Sequence, residues 1–574
     1  MWARWLLVVA LLGAFPNSSR AADWDLPPDL LRQFNGLLDA NREFDARLNA
    51  ETAESWSQRK DELREQLGEM LGTKYQDRNS DLKPVVTGTV ETPSYKVENI
   101  HFQSRPGLYV TGNLYLPKTI SKPCPAILYV CGHGPFVRNG VAYGNKVTYR
   151  HHGDWFARNG YVCLIIDTLQ LGEIGGKHHG TYGVKKGDAW EYEWWWASRG
   201  YTPAGVEAWN AVRAIDYLCT RPEVDPQRLG VTGRSGGGAS SWWAAALDER
   251  IKVAVPVAGI TNLDDHVLAG CIEGHCDCMF FTNSHRWDYG TLAALVAPRP
   301  MLFSNTDRDP IFPLSGVIPV HHSARRIYQT LKADDKLGLC ITSGPHKDTQ
   351  ELRCAAFRWF NEHLKGETGL IVENEPEAIE YQQLKVFAEL PADEKNTRIQ
   401  EEFIPVGQFL PTPTSKDQLK EFAGKLTAKL QETIFQGWKP QAVSQPKLEN
   451  DETKFGIRFR SYRFHADGAT ERPLTLHLIE PEAKPAGEAA RSVVLETLDE
   501  AGWQQHAKNV AALLDATDPA AMAAGPLGKA ILDKKQALAF LAPRGVGPGA
   551  WSVDERKMNA IRRRYLVLGR TLEA

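Results

Sequence analysis

Apolar runs alternate with helix-like stretches through the central part of this chain. Continuous apolar runs at residues 126–131 and 161–166 predict strands buried on both faces, because a half-exposed strand would alternate with polar residues. Between such runs, residues 202–218 have the apolar spacing of a helix. Further buried strands are predicted at residues 253–257, 300–304 and 337–342. Buried strands that alternate with helices predict a doubly wound α/β fold with a mostly parallel sheet.

The region before this alternation has a helical pattern. Amphipathic stripes within residues 23–73 end at Gly72, which is suited to cap a helix at its C-terminus. We therefore expect an N-terminal helical extension over residues 22–94. The main α/β domain is then expected over residues 95–368.

The second half of the chain repeats the opening of this main domain. After a linker and helical region predicted over residues 369–454, apolar strands return in the order of the first domain. The run at residues 492–496 corresponds to the strand at residues 126–131, but the motifs that follow that strand do not recur. We predict a truncated second domain over residues 455–574, whose sheet has an exposed apolar edge. A complete small accessory domain is the alternative.

Composition places the chain among globular proteins of more than one domain. It has 574 residues, of which 43% are hydrophobic and 24% are charged. Its formal net charge of −3 gives no reason to expect nucleic acid or an anionic membrane as a partner. After the N-terminus, we identify no apolar run that predicts a membrane span.

The first residues have the pattern of a secretory leader. Residues 1–4 provide a basic start, residues 5–15 an apolar core and residues 19–21 a cleavage site with small residues. The apolar core is too short to span a bilayer. We expect residues 1–21 to be a signal peptide and the mature protein to be periplasmic or secreted.

A glycine-rich turn between a predicted strand and a predicted helix contains the first candidate catalytic residue. Residues 228–232 predict the strand and residues 239–247 the helix. Between them, Gly233-Arg-Ser-Gly-Gly237 fits the G-x-S-x-G nucleophile elbow, which exposes Ser235 at a helix N-terminus. The flanking glycines let strand and helix approach each other without a clash of Cβ atoms. An ordinary glycine-rich turn is the alternative explanation.

Two later loops supply the partners that a serine nucleophile needs. A serine is a weak nucleophile until a general base takes its proton, and an acid orients that base. His346 follows the last predicted strand and is the expected general base. Asp307 and Asp309 follow the strand before it; we favour Asp309 as the orienting acid, with Asp307 as the alternative. Both loops leave strand ends on the same edge of the sheet as Ser235.

Backbone N–H groups near the serine are expected to form an oxyanion hole. One donor is Gly236, which directly follows the nucleophile. The second should come from the loop Gly132-His133-Gly134-Pro135, which resembles an H-G-G-x loop. We expect the backbone of His133 or of Gly134 to provide it.

One loop is rich in cysteine and histidine. Within residues 271–279, Cys271, Cys276 and Cys278 are the best disulfide candidates among the nine cysteines of the chain. Histidine and cysteine also bind zinc, but these ligands are crowded into one loop without a second pair at zinc-finger spacing. We therefore predict no metal and no cofactor. We interpret three histidine pairs as structural or cleft residues: 151–152, 178–179 and 321–322.

Four motifs together resemble one enzyme family. They are Gly132-His-Gly134, the turn Gly233–Gly237, Asp309-Pro-Ile-Phe-Pro313 and Gly344-Pro-His346. With them, the chain from about Val97 to Glu367 resembles the acetyl xylan esterase-like branch of the α/β-hydrolase superfamily, which adjoins the dienelactone hydrolase and prolyl oligopeptidase-like families. The resemblance implies an α/β-hydrolase fold for this part of the chain. Because the second half repeats the opening of that domain, we expect it to be an incomplete second α/β-hydrolase-like domain. Glucuronoyl esterases are similar in outline, but they carry an arginine immediately after the nucleophile, and in this chain that position is Gly236.

The resemblance also implies a function. The implied enzyme is a serine carboxylesterase that forms an acyl-enzyme through Ser235, Asp309 and His346. Its implied substrate is an acetylated polysaccharide or oligosaccharide, from which it removes acetyl groups. A prolyl oligopeptidase-like serine peptidase is an alternative, although we find no repeat typical of the propeller that such enzymes usually carry. A noncatalytic carbohydrate-binding or scaffold protein is a further alternative, which suits the second half of the chain better than the first.

Overall fold

The structure is a computed structural model of the chain. It describes residues 26–176, 183–186, 189–192, 195–371, 379–407, 412–433, 444–465, 472–482, 492–534, 536–552 and 554–569. The predicted signal peptide lies outside these residues. The chain divides into a first unit, within residues 37–410, and a second unit made of residues 25–36 and 411–574.

A nine-stranded sheet forms the centre of the first unit, in the order β1-β2-β3-β7-β4-β10-β11-β12-β13. The strands of this unit are β1 (Val85–Glu91), β2 (Tyr95–Arg105), β3 (Leu108–Pro117), β4 (Cys124–Val130), β5 (Val137–Arg138), β6 (Val141–Ala142), β7 (Val162–Ile166), β8 (Gly183–Lys186), β9 (Ala189–Tyr192), β10 (Val224–Arg234), β11 (Ile251–Val257), β12 (Met301–Thr306) and β13 (Leu337–Thr342). Across the sheet, the first four strands, β1, β2, β3 and β7, pair antiparallel with their neighbours in that row. From β7 onward, through β4, β10, β11, β12 and β13, each strand is parallel to the next. The carboxyl ends of the parallel strands therefore meet at one edge, where ligands bind in such folds.

Helices connect and cover these strands. They are α1 (Pro28–Ala46), which has residues in both units, α2 (Ala53–Leu71), α3 (Arg150–Arg158), α4 (Trp195–Ser198), α5 (Pro203–Thr220), α6 (Gly236–Leu247), α7 (Leu263–Val267), α8 (Tyr289–Ala294), α9 (Leu314–Thr330), α10 (Gln350–Phe360) and α11 (Ile399–Glu402). Thr52 and Ser55 form a capping box at the start of α2, and Gly72 ends this helix with a φ of 70°, as predicted. None of the helices in the described part of the chain has the length and apolarity that crossing a bilayer requires.

The apolar runs of the sequence form the buried strands. Every residue of β7 is buried, and so are six of the seven residues of β4. One core cluster packs these strands against α3 and α10, where the rings of Trp155 and Phe357 stack with centroids 3.8 Å apart. The predicted fold class is confirmed, because the first unit has the mostly parallel, helix-covered sheet of the α/β-hydrolases.

The edge strand β1 lies outside the predicted limits of the main domain. It pairs with β2 and begins at Val85, within the region for which we expected only a helical extension. Five of its seven residues are exposed, so its sequence has no clear alternation of buried and exposed positions. The sheet therefore starts ten residues before the predicted boundary at residue 95.

The second unit contains a smaller sheet with the order β14-β15-β16-β18-β17. Its strands are β14 (Lys447–Lys454), β15 (Ile457–Phe464), β16 (Leu474–Pro481), β17 (Val493–Thr497) and β18 (Ala537–Ala542), and its further helices are α12 (Lys416–Thr433), α13 (Glu500–Asp515), α14 (Pro519–Ala524), α15 (Pro526–Lys534) and α16 (Glu555–Val567). The first three strand pairs are antiparallel and the last is parallel, which matches the order and directions of β1-β2-β3-β7-β4. The second sheet thus repeats the first half of the large sheet.

The outer strand of this second sheet exposes apolar side chains. Val493, Val494 and Leu495 in β17 are 55%, 46% and 60% exposed. The corresponding strand of the first unit, β4, pairs with β10 on that side. An exposed apolar edge was predicted for this domain, and it is present among the described residues.

Candidate active site

Ser235 occupies a strained turn between β10 and α6. Its backbone has a φ of 61° and a ψ of −123°, a conformation that costs a residue with a Cβ atom free energy and persists only where the surroundings enforce it. The Ser235 N–H donates to the carbonyl of Val257 at 2.9 Å, and the Ser235 carbonyl accepts the N–H of Ala239 at 3.0 Å. The strand–turn–helix context predicted for this serine is confirmed.

Two glycines allow the backbone to pass through this turn. A Cβ atom on Gly233 would lie 2.2 Å from the Val130 carbonyl oxygen and 2.6 Å from that of Gly237. A Cβ atom on Gly237 would lie 2.1 Å from the same Val130 oxygen. All three distances are shorter than any real carbon–oxygen contact, so only glycine fits at either position. The structure thus confirms the prediction that these glycines let strand and helix approach each other without a clash of Cβ atoms.

His346 and Asp309 meet at the same edge of the sheet. The Nδ1 of His346 and the Oδ2 of Asp309 are 2.6 Å apart. The other carboxylate oxygen of Asp309 accepts the N–H groups of Ile311 and Phe312, each at 3.0 Å, and the Asp309 side chain is fully buried. Because an ionised carboxylate only accepts hydrogen bonds, Nδ1 of His346 carries the hydrogen and Nε2 is left to accept a proton.

Asp307, the alternative acid, points to a different partner. Its Oδ1 accepts the backbone N–H of Gly344 at 2.8 Å, and its side chain is 42% exposed. The Gly344 N–H holds the pKa of the Asp307 carboxyl below its usual value. The structure therefore brings Asp309 to the histidine, and it places Asp307 as a brace for the loop that carries His346.

Arg234 links the serine turn to the histidine loop. Its guanidinium donates to the backbone carbonyl of His346 at 2.5 Å. Burial lowers the pKa of the His346 imidazole, the hydrogen bond to Asp309 acts against that effect, and the charge of Arg234 lowers the pKa further. The net result is a histidine that stays neutral, as a general base must be, to lower pH than an exposed imidazole would.

The loop after β4 lies beside Ser235, as expected for an oxyanion loop. A Cβ atom on Gly132 would lie 3.3 Å from the Cβ of Ser235, and the amide of Asn145 holds the Gly132 carbonyl at 2.7 Å. Gly236 is the first residue of α6, and the ring of His133 packs directly against it. The space around Gly134 is open. The structure thus brings Gly132 and His133 to the serine turn and to Gly236, whereas it gives Gly134 no contact there. Asn145, which the sequence gave no reason to single out, holds Gly132.

Two further groups near this turn have the chemistry to bind a metal. One consists of His133, Glu207 and Cys278, and the other of His151, His152 and Asp348. In the second group, Nε2 of each histidine lies 3.0 Å from the same oxygen of Asp348. We interpreted the pair 151–152 only as structural or cleft residues; the position of Asp348, two residues after His346, was the available signal.

Asp348 and the two histidines connect α3 to the histidine loop. Burial lowers the pKa of His152 to about 4, so this ring is neutral near pH 7. Burial alone would raise the pKa of Asp348, but the two histidines outweigh burial and lower it. The group is thus a hydrogen-bonded brace around an ionised carboxylate.

The expected disulfide in the cysteine-rich loop is absent. Cys271, Cys276 and Cys278 all stand as thiols in the structure. The sulfur of Cys278 instead faces His133, whose Nε2 lies 3.0 Å away. The prediction was wrong because proximity along one loop does not direct two cysteine side chains toward each other.

Comparisons with known proteins find similarity to hydrolases. A family model described as X-Pro dipeptidyl-peptidase (S15 family) matches residues 107–287. YtaP of Bacillus subtilis (strain 168), whose name classes it with the hydrolases, is 27% identical over 255 residues, which are 43% of this chain and 81% of that protein. A 4-O-methyl-glucuronoyl methylesterase of Phanerochaete carnosa is 27% identical over 186 residues, which are 28% of this chain and 45% of that enzyme.

Solved structures also align with this chain. The methylesterase BT1017 aligns with a TM-score of 0.45 and 23% identity over 68% of this chain and 80% of its own. The matches to glucuronoyl methylesterases span less than half the length of those enzymes. Hydrolysis is the activity that the names of these relatives share.

Proposed function

Because the chain is a hydrolase with the α/β-hydrolase fold, we propose that it is a serine carboxylesterase acting on carbohydrate esters, with acetylated polysaccharide or oligosaccharide as its substrate. The observation that carries the proposal is that a strained Ser235 and an Asp309–His346 hydrogen bond with a buried carboxylate lie at the same edge of the sheet. The leader-like residues 1–21 support export, which would bring the enzyme to such a substrate outside the cytoplasm.

In the proposed mechanism, Ser235 attacks the ester carbonyl while Nε2 of His346 takes the serine proton. Asp309 holds the imidazole in the tautomer that leaves Nε2 able to accept this proton. The oxyanion of the tetrahedral intermediate accepts hydrogen bonds from the backbone N–H of Gly236 and from that of His133 or Gly134. His346 then returns the proton to the departing alcohol, and water releases the acyl group from the serine by the same steps.

The experiment compares the mature protein with Ser235→Ala on p-nitrophenyl acetate and on acetylated xylan. We expect Ser235→Ala to lower kcat by about 10⁴-fold or more, since the remaining groups supply no nucleophile. Ser241→Ala is the matched control, because Ser241 lies in α6, directly after the serine turn, and its hydroxyl donates to the Gly237 carbonyl at 2.8 Å. Unchanged hydrolysis by Ser235→Ala, with Ser241→Ala also unchanged, would overturn the proposed nucleophile.

A second candidate function is that of a serine peptidase cleaving after proline. The match of residues 107–287 to the X-Pro dipeptidyl-peptidase family model favours it. Ala-Pro-p-nitroanilide is the discriminating substrate, tested beside acetylated xylan with the same two variants. Cleavage of the anilide that depends on Ser235, without release of acetate from xylan, would replace the esterase proposal with the peptidase one.

A further inference from the structure

A cluster of three side chains lies behind the serine turn, each from a different part of the chain. His133 comes from the loop after β4, Glu207 from α5 and Cys278 from a short turn between α7 and α8. One ligand atom of each lies within 4.8 Å of those of the other two, and His133 Nε2 is 3.0 Å from Cys278 Sγ. Glu207 and Cys278 are 6% and 0% exposed. Folding therefore assembles a nitrogen, a sulfur and an oxygen in a nearly closed space.

This donor set has the composition that zinc prefers. Zn²⁺ binds cysteine sulfur at about 2.3 Å and histidine nitrogen at about 2.0–2.1 Å, so the two atoms in a tetrahedral site lie about 3.5 Å apart. The pair of His133 and Cys278 would have to open by about half an ångström to meet that geometry. A thiolate and a carboxylate together balance the charge of a divalent cation, and a neutral imidazole adds no charge.

A further side chain orients one of the donors. The hydroxyl of Ser240 donates to Oε2 of Glu207 at 2.8 Å, and Ser240 is almost fully buried in α6. Carboxylate ligands in metal sites are usually held by such a hydrogen bond, which fixes the oxygen that faces the ion. The cluster thus has an outer contact as well as three donors.

We propose that His133, Glu207 and Cys278 form a binding site for Zn²⁺ that fixes the loop Gly132–Gly134 against the serine turn. The ring of His133 packs on Gly236 at the start of α6, so a bound ion would hold this contact in place. The proposal does not depend on the reaction that the enzyme catalyses. It also replaces our prediction of no metal. That prediction considered only the ligands within the loop that contains Cys278, whereas the fold brings His133 and Glu207 to this cysteine from distant segments.

The test measures metal binding by the whole chain. The protein is stripped with a chelator and titrated with ZnSO₄, and bound zinc is measured by mass spectrometry after gel filtration. We expect roughly one Zn²⁺ per chain, and Cys278→Ser should weaken binding by at least about 100-fold, since removing a ligand costs no less than removing an outer contact. Cys276→Ser is the matched control from the same loop and should bind as the wild type does. Ser240→Ala should weaken binding by about 10–100-fold.

A second measurement needs no variant, in case Cys278→Ser fails to fold. Co²⁺ replaces Zn²⁺ at such sites and gives a near-ultraviolet band when a thiolate binds it. We expect this band when Co²⁺ is added to the metal-free wild type. Failure of the wild type to bind zinc, absence of the band, or undiminished binding by folded Cys278→Ser would each overturn the site. If folded Cys278→Ser bound zinc as tightly as the wild type does, the other candidate metal group, His151, His152 and Asp348, would be the place to look for the ion.

Discussion

The Oδ2 of Asp309 lies 2.6 Å from Nδ1 of His346, while Asp307, two residues earlier, turns away to the backbone of Gly344. Two carboxylates in one short loop thus have separate tasks. The buried Asp309 selects the histidine tautomer, and the half-exposed Asp307 braces the loop. A pair of neighbouring substitutions can therefore separate an effect on chemistry from an effect on loop structure.

Asp309→Asn should lower kcat for p-nitrophenyl acetate by about 10⁴-fold, because an amide stabilises the wrong tautomer of the imidazole and no longer balances the imidazolium charge. Asparagine keeps the size of the side chain, so the loop should keep its shape. The measurement is steady-state kinetics with circular dichroism as a check on folding.

Asp307→Asn is the control for that experiment. The amide oxygen of asparagine can still accept the Gly344 N–H, so kcat should stay close to that of the wild type. A large loss of kcat in Asp307→Asn, with little change in Asp309→Asn, would show that the roles of the two residues are reversed.

The pH dependence of activity should reflect the lowered pKa of His346. Only the neutral imidazole can take the serine proton, so kcat/KM should rise with pH through the pKa of the free enzyme. Burial and the charge of Arg234 lower this pKa, and the midpoint of the acid limb should therefore lie below about 6.5. A midpoint well above that value would contradict the assigned environment of the histidine.

Arg234→Gln tests the charge contribution separately. Removing the positive charge makes the protonated imidazole less unfavourable, so the midpoint should move to higher pH. Arg228→Gln is the matched control, because that arginine lies in the same strand and pairs with Asp225. An equal midpoint in both variants would show that Arg234 acts only through its hydrogen bond to the His346 carbonyl.

The sequence predicted most reliably those elements that bury both faces. Strands β4 and β7 are continuous apolar runs, and the structure places them within two residues of the predicted limits. The first strand of each sheet was missed for one shared reason. Strands β1 and β14 are edge strands whose residues are mostly exposed, so no burial pattern marks them in the sequence. The domain boundaries predicted at residues 95 and 455 therefore fall after the sheets begin.

Candidate site residues could be predicted from the sequence where a single loop contains the whole motif. Ser235 and His346 each follow a strand at a position that the fold dictates, whereas the choice between Asp307 and Asp309 needed coordinates. Clusters drawn from distant segments, such as the one that includes Glu207, could not be predicted, because no spacing rule connects residues that only tertiary structure brings together.

A buried ion network near the Gly132–Gly134 loop gives the last prediction. The ammonium of Lys146 is 0% exposed, and it lies 2.9 Å from Asp167 and 2.7 Å from Glu173. Burial alone would lower the pKa of Lys146, but the two carboxylates raise it, so the lysine is charged. Lys146→Met would leave the buried Asp167 without its cation and Glu173 with only Lys385, 3.3 Å away, and should lower the free energy of unfolding by about 3–5 kcal/mol.

Urea denaturation of the folded chain measures this change. Adding Asp167→Asn to Lys146→Met should recover part of the loss, because the acid that lost its only cation is then a neutral amide. Lys252→Met is a control of the same chemistry in β11, where the lysine ammonium donates to the Glu249 carbonyl at 3.2 Å. If Lys146→Met cost less than about 1 kcal/mol, or if the double variant were the less stable of the two, the network would not be the stabilising element that its geometry indicates.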